Sequence, residues 1–283
     1  MIVNVAHFFQ LTVKISLNAV KQIRNGNFRF LNGNTMYPVR IISVVPSQTE
    51  LLFDFGLDEE IMGLTKFCTY PADKVKQKTL VGGTKTLNLS TIHGLNPDFI
   101  LANKEENTRE QIEALRQRYT VHVTDVNTLP DALTMIREVG ALVGKRAEAD
   151  ALANRIETTL VPLPQPSGLT VAYFIWRKPY MVAAADTFIH AMLEQAGFRN
   201  AFVGQTRYPV VSAEELKTAQ PDLIFLSSEP YPFGQKHMVE LQAICPSARI
   251  RLVDGEVFSW YGSQLLRASD YFRNLRTETH QSA

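Results

Sequence analysis

The feature that most constrains the fold is a pattern that occurs twice in the chain. Residues 95–102, LNPDFILA, and residues 219–226, AQPDLIFL, both place Pro-Asp directly before an apolar run typical of a buried strand. A short helix-like segment precedes each copy, and a polar loop, a helical stretch and a further strand follow it. Two unrelated α/β units could look alike in this way, but the shared order favours two similar lobes, at about 40–125 and 168–275.

Residues 128–167 between these halves have the pattern of a helical connection. Thr128 and Asp131 predict a helix N-terminus with Pro130 in its first turn. Apolar residues from 149 to 160 keep helical spacing, and prolines at 162, 164 and 166 end the pattern. We therefore predict an α/β fold of two Rossmann-like lobes with mainly parallel sheets, joined by a single long backbone helix that allows little hinge motion. The predicted division is 1–39, an N-terminal extension; 40–127, the N-terminal lobe; 128–167, the connection; and 168–283, the C-terminal lobe.

The N-terminal extension has no acidic residue before Glu50 and several basic ones. Polar residues such as His7 and Lys14 interrupt its apolar residues, so no signal peptide is visible. Residues 9–17, FQLTVKISL, alternate as a half-buried strand does, and FRFL at 28–31 is a candidate partner in a β-hairpin. Alternatively, the segment is upstream sequence in front of a native start at Met36.

Composition and motifs favour binding over catalysis. The net charge of +1 gives no electrostatic basis for a nucleic acid or anionic membrane partner. Cys68 and Cys245 are far apart and predict neither a disulfide framework nor a zinc site. The sequence contains no P-loop, no G-x-G-x-x-G after a strand and no G-x-S-x-G elbow. We therefore expect a non-enzyme with no metal centre and no intrinsic cofactor.

Residues 40–57, RIISVVPSQTELLFDFGL, read as a buried strand followed by a helix. Ser47 and Glu50 match the S-x-x-E capping box, so the Ser47 hydroxyl is expected to cap its own helix. This helix N-terminus would lie at the carboxyl end of the first core strand, where open α/β sheets bind ligands. The turn is therefore expected to form the floor of one side of a cleft, with its free backbone amides in contact with the ligand.

Aromatic and basic residues recur at the carboxyl ends of the predicted strands, which should face a cleft between the lobes. Such a set suits a large, flat, partly anionic ligand, although any one aromatic can equally edge a core. Truncating Trp176 or Trp260 is expected to weaken binding and to leave the fold intact. The candidate ligand-binding residues are Ser47, Gln48, Lys66, Phe67, Tyr70, Gly83, Lys104, Glu105, Trp176, Arg177, Tyr180, Arg207, Tyr208, Trp260 and Tyr261.

Three stretches, 40–57, 81–115 and 208–226, resemble the class III, helical-backbone substrate-binding proteins of ABC importers for iron-siderophores, haem and vitamin B12. The cobalamin-binding branch is the nearest match, and the resemblance covers most of 40–275. It implies a corrinoid, haem or siderophore as ligand, a rigid interlobe cleft, a monomer and an ABC permease as partner. It also implies a periplasmic or cell-envelope location, and docking acids at Glu110 and Glu214, with Glu215 as a substitute.

Two other functions remain open at this point. A chelatase-like metal-handling enzyme on a similar scaffold would need His93 or His190 to converge with Glu105 or Glu106 in the cleft. An interaction module with a vestigial cleft would have side chains that fill the space between Trp176 and Trp260.

Overall fold

The computed structural model describes residues 28–31, 35–38, 40–163 and 166–281. Strands β1 (Phe28–Leu31) and β2 (Thr35–Pro38) form an antiparallel hairpin. FRFL is thus a strand, but its observed partner is β2. The predicted strand at 9–17 lies outside the described residues.

The N-terminal lobe is built on a parallel sheet with helices on both faces. The strands are β3 (Ile41–Ser43), β4 (Ile61–Leu64), β5 (Thr79–Leu80), β8 (Phe99–Asn103) and β9 (Thr120–Thr124), in the order β5-β4-β3-β8-β9. A small antiparallel pair, β6 (Gly82–Gly83) and β7 (Thr86–Leu87), lies beside it. The helices are α1 (Pro46–Asp54), α2 (Ala72–Val75), α3 (Leu89–Leu95) and α4 (Arg109–Arg116). Because both faces are covered, consecutive residues such as Ile41 and Ile42 are fully buried.

The connection between the lobes is helical, as predicted, but it consists of a hairpin of two helices and not of one continuous helix. Helix α5 (Leu129–Leu142) begins at the predicted Thr128 and Asp131 capping box, and α6 (Arg146–Thr159) follows after a turn. Gly144 makes that turn with a φ of +76°, a backbone conformation that favours glycine. The helices pack antiparallel and very closely, because a Cβ at Gly140 would lie 2.2 Å from the Cβ of Ala149.

The C-terminal lobe repeats the architecture of the first lobe. Its strands are β10 (Thr170–Trp176), β11 (Met181–Val182), β12 (Arg199–Asn200), β13 (Leu223–Ser227) and β14 (Arg249–Val253). Parallel strands run in the order β12-β10-β13-β14, and β11 pairs antiparallel with β10. Its helices are α7 (Phe188–Gln195), α8 (Ala213–Ala219), α9 (Gln235–Ile244), α10 (Gly255–Ser259) and α11 (Leu265–Gln281).

The repeated sequence pattern has the same backbone in both lobes. Asn96 is the C-cap of helix α3 and Gln220 is the C-cap of helix α8, and both residues adopt the left-handed conformation, with φ of 45° and 44°. Pro-Asp follows in each case, and the chain then enters the strand that pairs with the lobe's first strand, β8 or β13. The predicted two-lobed α/β fold is confirmed, while the lobe boundaries themselves stay a prediction.

One apolar core continues from lobe to lobe through the helical hairpin. Leu51 of α1, Ile136 of α5, Ile156 of α6 and Phe258 of α10 belong to the same buried cluster. Two smaller clusters lie elsewhere, one in each lobe. A shared, close-packed core opposes large lobe motion, because opening the lobes would expose this apolar surface. Within the described ranges, no helix is both long and apolar enough to cross a membrane.

Candidate ligand-binding cleft

The two lobes meet where the carboxyl ends of their sheets face each other. Helix α1 of the first lobe packs directly against the segment at 260–264 of the second. Glu50 Oε1 accepts a hydrogen bond of 2.7 Å from Gln264 Nε2, and a Cβ at Gly262 would lie 3.2 Å from the carbonyl oxygen of Ser47. This contact joins the two lobes.

The predicted capping box at Ser47 and Glu50 does not form. Helix α1 has Val45 as its N-cap, without a side-chain hydrogen bond, because Pro46 occupies the first turn and Ser47 already lies inside the helix. Glu50 instead binds Gln264. The Ser47 side chain is buried, and the fully buried Gln48 donates to Thr124 Oγ1 at 2.6 Å. Contact of Ser47 and Gln48 with a ligand stays a prediction.

Trp260 and Tyr70 form an aromatic contact between the lobes. Their ring centroids are 6.0 Å apart with an interplanar angle of 79°. Trp260 is only 6% exposed and donates from Nε1 to Glu229 Oε1 at 3.1 Å, whereas Tyr70 is 41% exposed. Trp260 is therefore the buried partner in this contact, whereas the ring of Tyr70 remains partly exposed.

Two further aromatic side chains leave surface uncovered at the strand ends. Phe67 of the first lobe is 51% exposed, and the Lys66 ammonium lies 5.1 Å from its ring centroid. Gly83 makes room for this ring, since a Cβ there would lie 3.2 Å from Phe67. Trp176 ends β10, is 40% exposed and packs edge-on against Tyr231. The aromatic surface is therefore contributed by both lobes.

Glu105 and Arg207 make an ion pair across the lobes, with 3.2 Å between Glu105 Oε1 and Arg207 Nη2. Arg207 also donates to Asn127 Oδ1 at 3.2 Å and to the carbonyl oxygen of Asp186 at 2.9 Å. Tyr208 lies beside Glu105, and burial together with this carboxylate raises the pKa of the phenol. The Arg207 charge is thus already neutralised on the second lobe's side of the cleft.

Two carboxylates from opposite lobes have raised pKa values. Burial, together with the charges of Glu229 and Glu105, raises the pKa of Glu106 to about 7. Burial also raises the pKa of Glu229, although Ser259 Oγ and Trp260 Nε1 both donate to that carboxylate. The charges of these two carboxylates therefore act on each other across the lobes, although both residues keep part of their surface exposed.

Four of the predicted ligand-contact side chains have partners within the protein. Arg177 and Tyr180 both bind Glu240 of α9, and Tyr180 packs on Phe174 in the second lobe's own cluster. Lys104 is exposed and paired with Asp125, and the buried Tyr261 packs edge-on against Phe188. Direct ligand contact by these four side chains stays a prediction.

The loop that carries Glu105 and Glu106 is held by two buried asparagines that the sequence analysis did not select. Asn103 Oδ1 accepts from the backbone amides of Glu105 and Glu106, at 2.8 and 3.1 Å. Asn107 Oδ1 accepts from the amide of Asn103, and its Nδ2 donates to the carbonyl oxygens of Val44 and Thr84. Asparagine at both ends of NKEEN is typical of such side-chain-stabilised turns.

The histidines needed for a metal-handling enzyme are elsewhere. His93 hydrogen-bonds Tyr119, and His190 lies 3.7 Å from Glu194. Across the residues that the structure describes, no group of three or more His, Cys, Asp or Glu is arranged to hold a metal ion. Nothing in the site favours the chelatase alternative.

We expect the protein to become more stable as the pH falls from 8 to 6.5. Burial raises the pKa of Glu50 and of Glu106 to about 7, above the unfolded value of 4.5, so folding takes up protons in this window. The stabilisation is present at low pH and is lost as the pH rises through 7, by about 1 kcal/mol or a few degrees in Tm. Thermal unfolding at pH 8 and at pH 6.5 measures this difference in stability.

The variant Glu50→Gln/Glu106→Gln should lose most of the Tm difference between the two pH values. An equal Tm at both pH values in the unmodified protein would contradict the burial of these carboxyls.

The fold and cleft define a two-lobed α/β binding protein. The periplasmic binding protein family matches residues 41–243, and the chain belongs to that family. It is 26% identical over 205 residues to a vitamin B12-binding protein of Vibrio campbellii, covering 70% of this chain and 73% of that one. It is also 26% identical over 201 residues to an uncharacterized ABC transporter substrate-binding lipoprotein of Bacillus subtilis, YvrC, covering 66% and 63%.

Solved structures show the same fold. The vitamin B12-binding protein BtuF of Vibrio cholerae has a TM-score of 0.70 at 21% identity, covering 86% of this chain and 98% of that one. The periplasmic heme-binding protein BhuT, solved with two hemes, has a TM-score of 0.73 at 24% identity, covering 85% and 98%. The family membership confirms that the chain is a binding protein of a transport system and not an enzyme.

Proposed function

We propose that this protein is the substrate-binding component of an ABC importer, that it binds a corrinoid or another metal chelate between its lobes, and that it delivers this ligand to a membrane permease. It acts in the cell envelope as a monomer and needs no cofactor of its own. The observation that carries the proposal is the partly exposed aromatic surface at the strand ends of both lobes, formed by Phe67, Tyr70 and Trp176.

Exposed aromatic rings at facing strand ends suit a flat ligand with a large apolar face. A soluble surface leaves such rings uncovered mainly where something binds, because covering them gains hydrophobic and stacking energy. The relatives named for vitamin B12 and the structural neighbour named for heme support the same ligand class. The competing interaction module would need a filled cleft, whereas Trp176 keeps 40% of its surface exposed.

Titration of the intrinsic tryptophan fluorescence tests the function. The purified chain is titrated with cyanocobalamin, cobinamide, haemin and a ferric siderophore, with correction for the absorbance of each ligand. Saturable quenching at micromolar or lower concentration by one of them, confirmed by calorimetry, is the expected result. If none of the four ligands binds, the import function would no longer be the leading proposal.

The permease docking acids are expected to be Glu110 and Glu214. Both are exposed at the starts of α4 and α8, whereas Glu215 is occupied by the backbone amide of Ser212 and is a poor substitute. Glu110→Ala with Glu214→Ala should leave ligand affinity unchanged and weaken capture by the permease in vesicles about tenfold or more. The exposed Glu59 and Glu113 provide the matched double alanine control. Full permease binding by the Glu110/Glu214 variant would contradict the docking role.

A further inference from the structure

The aromatic contact between Trp260 and Tyr70 depends on a third side chain, Glu229 of the second lobe. The indole Nε1 of Trp260 donates to Glu229 Oε1 at 3.1 Å, and the same oxygen accepts a hydrogen bond of 2.5 Å from Ser259 Oγ. The indole ring is buried, with only 6% of Trp260 exposed, so Glu229 satisfies an N–H group that has little access to water. One carboxylate oxygen therefore fixes one edge of the indole ring.

The turn that carries Glu229 is held on the start of helix α10. The backbone amide of Ser228 donates to the carbonyl oxygen of Val253 at 3.0 Å, and Ser228 Oγ accepts from the amide of Gly255 at 2.9 Å. The two segments are in close contact, since a Cβ at Gly255 would lie 2.3 Å from Ser227 Oγ and 2.7 Å from Glu229 Cγ. The carboxylate is therefore presented to the indole from a backbone with little freedom to move.

The indole of Trp260 connects this arrangement to the first lobe. Its ring centroid lies 6.0 Å from that of Tyr70 with an interplanar angle of 79°, which is the edge-to-face geometry that aromatic pairs favour. Tyr70 follows strand β4 and keeps 41% of its surface exposed. Contact with a fixed indole restricts the rotamers of this exposed ring, so a ligand that covers the ring loses less conformational entropy on binding.

We propose that Glu229 is a positioning residue of the ligand site: its carboxylate orients the Trp260 indole, and the indole holds Tyr70 in the conformation that receives the ligand. This inference rests on the proposed function of the cleft. Glu229 acts through Trp260 and needs no contact with the ligand. The role requires an acceptor oxygen at this point and not a negative charge, because a neutral amide oxygen accepts from the same N–H and O–H groups.

Two substitutions of similar size test the acceptor. Glu229→Leu removes both oxygens, whereas Glu229→Gln keeps one acceptor oxygen and removes the charge. Affinity is measured by calorimetry with cyanocobalamin, cobinamide, haemin and a ferric siderophore. For the probe that the unmodified protein binds, Glu229→Leu should weaken binding about tenfold, and Glu229→Gln should stay within about twofold of the unmodified protein.

The Trp260 indole supplies a second readout in the free protein. The chain has two tryptophans, so Trp176→Phe leaves Trp260 as the only one. In that background Glu229→Leu should shift the emission maximum to longer wavelength and increase quenching by acrylamide, because the released indole gains contact with water. Glu229→Gln should leave both signals unchanged. A general loss of stability in a protein that is still folded would move neither signal.

Trp260→Phe tests the connection from the other side and serves if Glu229→Leu folds poorly. It keeps an aromatic ring beside Tyr70 but has no N–H group, so it should weaken binding by itself, and adding Glu229→Leu should weaken binding no further. Unchanged affinity in Glu229→Leu or Trp260→Phe, equal losses in Glu229→Leu and Glu229→Gln, or additive losses in the double variant would overturn the positioning role while the import function stands. No binding of any of the four probes by the unmodified protein would overturn both.

Discussion

Gly140→Ala is expected to lower the free energy of unfolding by about 2–4 kcal/mol, although alanine is the better helix former. The added Cβ would lie 2.2 Å from the Cβ of Ala149 and 2.9 Å from the carbonyl oxygen of Lys145. Both obstacles belong to the helical hairpin itself and cannot rotate away. The two helices would have to separate, and the apolar core that they share with both lobes would lose its packing.

Gly94→Ala is the matched control, because Gly94 also lies in a helix but has no atom within 4 Å of the added Cβ. It should leave stability unchanged or raise it by about 0.5–1 kcal/mol. Urea unfolding of both variants against the unmodified chain measures the difference. A Gly140→Ala protein as stable as Gly94→Ala would contradict the close packing of α5 on α6.

Trp176→Ala is expected to weaken ligand binding at least about tenfold while leaving Tm within about 2 °C. Trp176 is partly exposed and contacts Tyr231, so its truncation removes stacking area and little core packing. Binding is measured by calorimetry with the ligand identified in the fluorescence titration, because the substitution removes a fluorophore.

Trp260→Ala should behave differently, and here the expectation from sequence that the fold stays intact requires correction. Trp260 is buried, contacts Tyr70 and donates to Glu229, so its truncation should reduce both affinity and Tm. Leu252→Ala, an exposed apolar residue on β14, controls for loss of surface apolar area. Unchanged affinity in Trp176→Ala would remove that residue from the site.

The two S-x-x-E sequences in this chain show how far local motifs predict structure. Ser212 and Glu215 form a capping box at α8, with both reciprocal hydrogen bonds in place. Ser47 and Glu50 do not, because Pro46 begins the helix one residue too early. A proline directly before the serine could have distinguished the two cases, since proline favours the first helical turn.

The lobes were predictable because their strand patterns are local and repeated. The number of helices in the connection, in contrast, depended on how one glycine is interpreted. Gly144 ends α5 in a left-handed turn, and a Gly-Lys pair inside a helical pattern can be read either as a helix end or as a tolerated interruption. The long-range side-chain contacts could not be predicted from the sequence. Nothing near Trp260 in sequence indicates its bond to Glu229, and nothing near Arg207 indicates its pairing with Glu105.

Hydrogen exchange with and without ligand tests the central claim, a ligand held between the two lobes, most directly. With saturating cobinamide, or another chelate that binds in the fluorescence titration, amide protection should increase in peptides from both lobes, around 65–71 and 103–107 in the first and around 229–234 in the second. The outer helices α4 and α9 should exchange as before. Protection confined to one lobe, or found only on those outer helices, would contradict a ligand bound in the interlobe cleft.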